Sequence, residues 1–438
     1  MENPYESHPA VELRLPAAND TVPVAQSLFR DRSFWGMTAT QFLGAFNDNL
    51  FKQLVLLLAV GGGVAAAAGG APGKSQDIQA LAMFLFAAPF LLFSSYAGFV
   101  SERLSKRNVV VACKVAEIGI VLLGMGGLLA VLFLMGTHSA FFGPPKWGIL
   151  PELFAEKDLP LANGVILMTT FLAIIFGTAL AGLLVDWFGI QRLWLASLAC
   201  LIVAVAGTQT ALWIRKLPPA SPGLPFTWSA LTVPSQIVAL LKRDRELLVG
   251  MLAYCMFWLI GGIVQPTVNS LGKVQFGLTD GPTSVLAACM GIGIAIGCMV
   301  AGKLSHERVN FGLVRLGAWL IVIILAILAI PGAKPFNLLR HEGTLVALLF
   351  LGASAGLFAV PLQVFIQTRP PASLKGRTIA TVNLANWIAI IASAGIYAAF
   401  DAIVRALDVP RATIFALTAL LMLPVALFYR PQSLNPKP

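Results

Sequence analysis

The sequence predicts an all-α polytopic membrane protein with twelve transmembrane helices arranged in two six-helix halves. Of its 438 residues, 58% are hydrophobic and 11% are charged, and the mean hydropathy is +0.82. Soluble domains carry about 25% charged residues, so this composition excludes an ordinary cytosolic enzyme, a nucleic-acid-binding protein and a disordered chain. The apolar residues form continuous runs, which indicates helices and not the alternating strands of a membrane barrel.

Apolar runs between charged and turn residues place the twelve spans, each long enough to cross a bilayer. The first six cover residues 34 to 60, 79 to 100, 108 to 135, 138 to 154, 160 to 187 and 190 to 214. The second six cover residues 247 to 269, 281 to 303, 309 to 331, 343 to 366, 377 to 400 and 410 to 429.

The stretch 215–246 between the two sets contains several prolines and is predicted to be a linker, ending in a short surface helix. It divides a first half at 34–214 from a second half at 247–429, with polar tails at 1–33 and 430–438. All five cysteines lie in apolar runs, so the sequence predicts no disulfide framework, no metal site and no cofactor.

The net charge of +10 is unevenly distributed. Most Lys and Arg residues fall in the tails and in the loops after spans 2, 4, 6, 8 and 10. Because cytoplasmic loops retain basic residues, we expect both termini in the cytoplasm.

A repeated loop supports the division into halves. The segment Gly98-Phe-Val-Ser-Glu-Arg103 follows span 2, and Gly302-Lys-Leu-Ser-His-Glu-Arg308 follows span 8. Six plus six helices with a repeated basic loop are typical of a secondary transporter built from two parallel halves.

The first loop, continued through Lys106 and Arg107, resembles the signature of the major facilitator superfamily, with Glu102 where that family usually has Asp. Within the superfamily, Gln41-Phe-Leu-Gly-Ala-Phe-Asn-Asp-Asn-Leu-Phe-Lys52 resembles the lysophospholipid transporter branch. Further similar stretches lie at 140–154, 161–164 and 361–380, so the resemblance covers both halves.

This resemblance implies the major facilitator fold and a flippase that moves lysophospholipids from the outer to the inner leaflet of a bacterial inner membrane. It also implies phospholipid remodelling, in which acyltransferases rebuild the diacyl lipid. No histidine is followed by Asp five positions later, so the His-x4-Asp pattern of acyltransferases is absent. We therefore expect a separate acyltransferase or acyl-carrier-protein ligase as a partner, and no enzyme activity in this chain.

Candidate substrate and coupling residues lie in the first half. In span 1, Gln41, Gly44, Asp48 and Lys52 share one helical face. A charge inside a bilayer is costly, so Asp48 should face a cavity or a partner. Two interpretations remain open: Asp48 and Lys52 form a neutralised pair, or they serve substrate binding or coupling.

Two further charges accompany this face. Lys146, eight residues from the predicted outer end of span 4, could contact a headgroup phosphate or pair with Glu117 or Asp48. Glu117 of span 3 could be a proton-coupling carboxylate, but a structural ion pair is favoured.

The loop signature implies a gate. Glu102 and Arg103 are expected to pair across neighbouring helices and stabilise the outward-open state, with Gly98 permitting close approach. Lys106 and Arg107 complete the signature and are counted with the predicted gate. The ordinary interpretation of Arg103, Lys106 and Arg107 is that they anchor the inner surface against anionic membrane lipids. The second copy has His306 and Glu307, which makes an equal gate there doubtful.

The second half offers uncharged polar candidates, and most of these are expected to form interhelical hydrogen bonds: Gln265, Asn269, Gln363, Gln367, Asn383 and Asn386. The asymmetry suggests that the first half binds the headgroup and the second half the acyl chain. A drug or other solute exporter is the competing transport hypothesis, and a membrane-embedded lipid-modifying enzyme is the competing hypothesis from another class.

Overall fold

The structure, a computed structural model, describes residues 28–59, 79–123, 128–188, 192, 194–224, 232–278, 280–305, 309–332, 338–371 and 374–430. Within these ranges the chain is helical and contains no β-strand. The prediction of an all-α polytopic membrane protein is confirmed.

Twelve of the described helices have 16 residues or more, and we number these α1 to α12. They are α1 Arg32–Ala59, α2 Gln79–Arg103, α3 Lys106–Leu123, α4 Leu128–Gly148, α5 Leu159–Phe188, α6 Trp194–Ala211, α7 Arg245–Ser270, α8 Asp280–Leu304, α9 Phe311–Ala329, α10 Arg340–Thr368, α11 Lys375–Ala406 and α12 Thr413–Phe428. In the described part of the chain, nine helices are long and apolar enough to cross a membrane. The remaining three are α1 and α3, which contain several charged residues, and α12, which has 16 residues. The number of twelve spans therefore stays a prediction.

The boundary between spans 3 and 4 was predicted wrongly. The sequence placed one span over 108 to 135, whereas α3 ends at Leu123 and α4 begins at Leu128. The intervening stretch contains Gly124, Gly126 and Gly127, which are apolar by composition but poor helix formers. Because no charge interrupts the run, hydropathy alone could not divide it. As a consequence Lys146 lies two residues before the end of α4, and not in the middle of a span as predicted.

The helices pack mainly within the two predicted sets. In the first set α1 packs on α5 and α6, α2 on α4, and α3 on α4 and α6. In the second set α8 packs on α10, α9 on α10 and α12, and α7 on α11. The sets meet where α5 packs on α8 and where α2 packs on α11. The exact residue limits of the domains remain predictions.

A short linker helix, Ser235–Arg243, precedes α7. It buries Ile237 and Leu241 and exposes Lys242 and Arg243 at its end. This amphipathic arrangement agrees with the expected surface helix. The end of the bundle where this helix lies, together with the α2–α3 loop, is called the basic side below.

Candidate functional site

Charged side chains cluster inside the first half. Lys52 and Asp48 come from α1, Lys114 and Glu117 from α3, and Lys146 from α4. Three ammonium groups and two carboxylates give these five residues a formal charge of +1. Burial of an uncompensated charge is costly, so the partners of each group decide what the cluster can do.

Glu117 is fully satisfied by protein groups. It pairs with Lys114, and both side chains are completely buried. Asn47 Nδ2 donates to Glu117 Oε1 at 2.6 Å, and His138 Nε2 lies 3.5 Å from Glu117 Oε2. The favoured interpretation of Glu117 as a structural ion-pair partner therefore agrees with the geometry, although its partner is not Lys146.

Sequence reasoning missed Lys114, Asn47 and His138. Lys114 lies within predicted span 3 and was not among the candidate charges. Its spacing from Glu117 was the available signal, since residues three apart on a helix are neighbours.

Asp48 and Lys52 form no salt bridge within 4.0 Å, so the alternative of a neutralised pair between them does not agree with the geometry. Asp48 Oδ2 accepts a hydrogen bond from Ser139 of α4, while Oδ1 has no partner among the described residues. Lys52 Nζ instead donates to Asn49 Oδ1 at 2.8 Å and lies 5.3 Å from the centroid of the Phe86 ring. Asp48 and Lys52 are four residues apart and share a helix face. The Lys52 ammonium nevertheless contacts the Asn49 amide and the Phe86 ring instead of the Asp48 carboxylate.

Lys146 also lacks the carboxylate partners that the sequence suggested. Its ammonium lies 4.7 Å from the centroid of the Trp147 ring and 3.4 Å from Thr170 Oγ1. Of the described acidic groups, none lies within 4.0 Å of either Lys52 or Lys146. Two partly buried ammonium groups are thus available to an anion that enters the site.

Gln41 serves to hold α1 against α5. Its Nε2 donates to Ile166 O at 3.0 Å and to Thr169 Oγ1 at 3.1 Å, and its Oε1 accepts from Thr170 at 2.9 Å. All its hydrogen-bonding groups are engaged, which favours a structural role over direct substrate contact. Thr170 links Gln41 to Lys146 and so helps to position that ammonium.

The predicted gate residues lie at the basic side, but their partners differ from expectation. Glu102 is buried and binds Arg377 of α11, with Arg377 Nε 2.8 Å and the Arg377 backbone N 3.0 Å from its two oxygens. Arg103 is exposed and lies 5.9 Å from the Phe99 ring centroid. The pairing of Glu102 with Arg103 is therefore wrong, because the last turn of α2 directs Glu102 toward α11 and Arg103 outward.

The two neighbouring cations are also engaged by protein groups. Lys106 is buried and pairs with Glu152. Its ammonium therefore contacts a protein carboxylate, and not the lipid headgroups that the sequence suggested. Arg107 Nε donates to Ile214 O at 3.2 Å. Gly98 packs against Ala380 so closely that a Cβ at this position would overlap it, as expected for a close helix approach.

A second connection closes the same side of the molecule. Asn163 Nδ2 donates to Gln367 Oε1 at 2.7 Å, and Gln367 Nε2 donates to Trp147 O at 3.0 Å. These amides join α5, α10 and α4. Together with the Glu102–Arg377 pair they hold the basic-side ends of the two halves against each other.

An apolar cavity of about 340 Å³ lies in the second half. It is lined from α7 by Trp258, Gly261 and Gln265, and from α8 by Met290 and Ile294, among others. Lys52 and Phe171 are the contributions from the first half, and Lys52 is the one charged residue among the described residues that line it. A cavity with one cation at its edge suits an amphiphile with an anionic end.

The other polar candidates of the second half have varied surroundings. Asn383 Nδ2 donates to Ser94 Oγ at 3.5 Å, which joins α11 to α2. Asn386 is buried, and its Oδ1 has no partner within the described ranges. The loop copy at His306 and Glu307 lies outside the described residues.

Comparison with known proteins agrees with this architecture. The family model of the Major Facilitator Superfamily matches residues 64–394. Lysophospholipid transporter LplT of Serratia proteamaculans is 29% identical over 387 residues, covering 86% of this chain and 91% of that protein. The same-named protein of Salmonella paratyphi B is 29% identical over 85% of this chain and 90% of its own length. The resemblance to this branch is confirmed.

Solved structures share the fold at low sequence identity. The transporter FucP in the outward conformation has a TM-score of 0.69 at 13% identity and covers 91% of this chain and 99% of its own. The human organic anion transporter MFSD10 has a TM-score of 0.68 at 16% identity, covering 90% and 99%. The matching family model and the named relatives are those of transporters, so the hypothesis of a membrane-embedded enzyme is not supported. The chain belongs to the major facilitator superfamily.

Proposed function

We propose that this transporter moves lysophospholipids from the outer to the inner leaflet of a bacterial inner membrane by alternating access. The observation that carries the proposal is a pair of partly buried cations, Lys52 and Lys146, that have no carboxylate partner among the described residues, and of which Lys52 borders an apolar cavity. The name of the related proteins from Serratia and Salmonella supports the same substrate class.

The first half would bind the headgroup. A phosphodiester carries one negative charge, which matches the formal charge of +1 on the five clustered residues. Charge-assisted hydrogen bonds from Lys52 or Lys146 to phosphate oxygens are stronger than neutral ones. Asp48 Oδ1, which has no partner among the described groups, is suited to accept a hydrogen bond from a headgroup amine or hydroxyl.

The second half would bind the acyl chain. The 340 Å³ cavity offers apolar side chains and contains a single charged group at its edge among the described lining residues. Each methylene removed from water contributes about 0.8 kcal/mol, so a partly enclosed chain supplies much of the binding free energy. A diacyl lipid would have to place a second chain in the same limited volume, which favours lysolipids.

Transport to the other leaflet requires the basic side to open. The Glu102–Arg377 pair and the Asn163–Gln367 hydrogen bond would have to separate, while the opposite side closes. We place the basic side and both termini in the cytoplasm, since basic loops stay inside. The product would then be reacylated by a separate acyltransferase or acyl-carrier-protein ligase.

The direct test is uptake of labelled lysophospholipid into vesicles containing the purified protein, with the diacyl lipid as control. We expect Lys52→Gln and Lys146→Gln each to lower uptake about tenfold or more, as loss of a charged hydrogen bond predicts. The exposed Lys242→Gln serves as the matched control and should transport normally. Equal movement of the diacyl lipid, or wild-type uptake by both site variants, would contradict the proposal.

Orientation has its own test. Reporters fused at both termini should report the cytoplasm, and a reporter inserted in the segment 333–341 should face the opposite side. A C-terminus on the outer side would require an odd number of spans and would contradict the two-half arrangement.

A further inference from the structure

Paired residues form a ladder between α2 and α11. Glu102 binds Arg377, Gly98 packs on Ala380, and Ser94 accepts a hydrogen bond from Asn383. Above them the rings of Phe90 and Trp387 stack with centroids 3.8 Å apart and an interplanar angle of 24°. The partners recur every four residues on α2 and every three or four on α11, so one face of each helix makes the whole contact. This face closes the basic side from its end to the level of Phe90.

The upper end of the ladder reaches the candidate headgroup site. Phe86 lies one turn beyond Phe90 on α2, and its ring centroid is 6.2 Å from that of Trp387 at an angle of 65°. The Lys52 ammonium lies 5.3 Å from the Phe86 centroid. A continuous series of contacts therefore runs from the cavity cation through two aromatic rings to the inter-half contact.

We propose that Phe86 and Trp387 are positioning residues that couple the binding of an anion at Lys52 to release of the α2–α11 ladder. Without an anion, Lys52 is attracted to the π-face of Phe86, which supports the position of Trp387 against Phe90. A phosphate carries a full charge and displaces the ring as the partner of Lys52. The identity of the anion as a lysophospholipid phosphate rests on the proposed function, but the coupling through the rings does not.

The energetic requirement is differential binding. A ligand shifts a conformational equilibrium only by the difference in its affinity for the two states. A phosphate at Lys52 removes a contact that favours the closed ladder, so it favours the open one. Loss of one cation–π contact corresponds to about a threefold to tenfold change in the ratio of open to closed molecules.

The coupling can be tested without lipid. Spin labels at Leu104 and Leu304, both exposed and at the basic-side ends of α2 and α8, would report the separation of the halves in a variant whose native cysteines are replaced. We expect Lys52→Gln to raise the open-to-closed ratio about threefold to tenfold. In a Trp387→Leu background, where the ratio is already raised, Lys52→Gln should add no further change.

Matched variants separate coupling from packing. Trp387→Phe retains a ring and should restore the response to Lys52→Gln. Phe93→Leu removes an α2 ring that packs on Phe141 and lies off the ladder, so the response should persist. If Trp387→Leu does not fold, Phe90→Leu takes its place in the experiment, because it removes the other ring of the stacked pair. Additive effects of Lys52→Gln and Trp387→Leu, or no effect of Lys52→Gln alone, would overturn the proposal.

A second measurement adds labelled 1-acyl lysophosphatidylethanolamine. Wild-type protein should bind it and shift toward the open ladder. Trp387→Leu should bind with a Kd within about twofold of wild type, yet show a kcat about tenfold lower at unchanged KM, as expected for a residue that acts after binding. Wild-type transport by Trp387→Leu, or loss of its binding, would reject the positioning role. If wild-type protein does not bind the lipid, the proposed substrate is wrong, and the lipid-free measurement still decides the coupling.

Discussion

The two halves bury different chemistry inside the same six-helix arrangement. In the first half, Lys114 and Glu117 are completely buried in an ion pair, and two more lysines lie among aromatic rings and hydroxyls. In the second half, the buried polar side chains within the described ranges are uncharged, and the interior contains an apolar cavity. The two halves thus share an arrangement of packed helices but differ in the side chains that they place in their interiors.

This difference has a physical consequence for how each half can be altered. Removing one partner of a buried ion pair leaves the other charge uncompensated, so substitutions at such a pair in the first half act through electrostatics. An apolar cavity responds to volume and shape, so substitutions in the second half act through packing. Variants that remove a charge in one half and fill space in the other therefore test the comparison directly.

The largest effect is expected at the buried ion pair. Glu117→Gln leaves the Lys114 ammonium without a carboxylate and should lower the free energy of unfolding by about 3–5 kcal/mol. Adding Lys114→Met removes the uncompensated charge and should recover most of this loss. Denaturant unfolding in detergent measures both.

A second-half control makes the comparison explicit. Thr418 is completely buried in α12 and donates to the Ile414 carbonyl, so Thr418→Val removes a buried polar group that carries no charge. Its cost should stay below about 1.5 kcal/mol. A cost of Glu117→Gln no greater than that of Thr418→Val would show that the two halves do not differ as proposed.

The next largest effect is expected at the Glu102–Arg377 pair of the predicted gate. Arg377→Ala leaves the buried Glu102 carboxylate without its ion-pair partner and should lower uptake about tenfold by destabilising the closed basic side. Arg103→Ala, at an exposed position one residue from Glu102, should change uptake less than about twofold. Vesicle uptake and outside accessibility of an introduced cysteine measure these effects. A larger loss of uptake in Arg103→Ala than in Arg377→Ala would instead support Arg103 as the gate residue.

Sequence alone predicted the fold well because hydropathy reports helices directly. It placed α2 and α5 within a few residues of their observed bounds. It failed to separate α3 from α4, because the sequence between them is apolar and carries no charge. The site was harder to predict, because the choice among possible charge partners depends on which helices are neighbours. Glu102 selects Arg377, which is 275 residues away, over the adjacent Arg103, and no local spacing encodes that choice.

The apolar cavity should respond to volume at Gly261. This residue lines the cavity, and outside its own stretch of helix no atom of the described residues lies within 4 Å of the position that a Cβ would occupy. Gly261→Leu should raise KM for a long-chain lysophospholipid about fivefold to tenfold, since it displaces roughly two methylenes of the chain. A lysophospholipid with a 12-carbon chain should be nearly unaffected.

The neighbouring glycine is the control for Gly261. A Cβ at Gly262 would overlap the Ser393 side chain, so Gly262→Leu separates α7 from α11. It should lower stability and uptake for all chain lengths alike. If both variants showed the same dependence on chain length, the proposal that the acyl chain binds in this cavity would be wrong.

The smallest expected effect is a difference between the contributions of two aspartates to stability. Asp31 precedes α1 and Asp244 precedes α7. Asp244 accepts from Leu247 N at 3.0 Å and from Arg369 Nε at 2.7 Å, and Asp31 accepts from Ser33 N at 2.6 Å and from Arg215 Nη1 at 3.1 Å. The Arg369 side chain is 25% exposed, whereas that of Arg215 is 48% exposed. Screening by water weakens the more exposed pair, so Asp244 should contribute more to stability than Asp31.

The pH dependence of Asp244 distinguishes this pairing from simple packing. Burial alone would raise the pKa of Asp244, but hydrogen bonds from Arg369 and from the Leu247 backbone outweigh it and hold the pKa below the ordinary value of 3.8. Because the folded-state pKa is depressed, the stabilisation is complete well above pH 3.8 and is lost as the pH falls through the lower folded value. Asp244→Asn should therefore cost about 0.5–1 kcal/mol near neutral pH, and the difference from wild type should shrink below about pH 4. Thermal unfolding of wild type, Asp244→Asn and Asp31→Asn at pH 6 and pH 3 measures this, and a cost of Asp244→Asn that does not change with pH would assign Asp244 a packing role without a contribution from its charge.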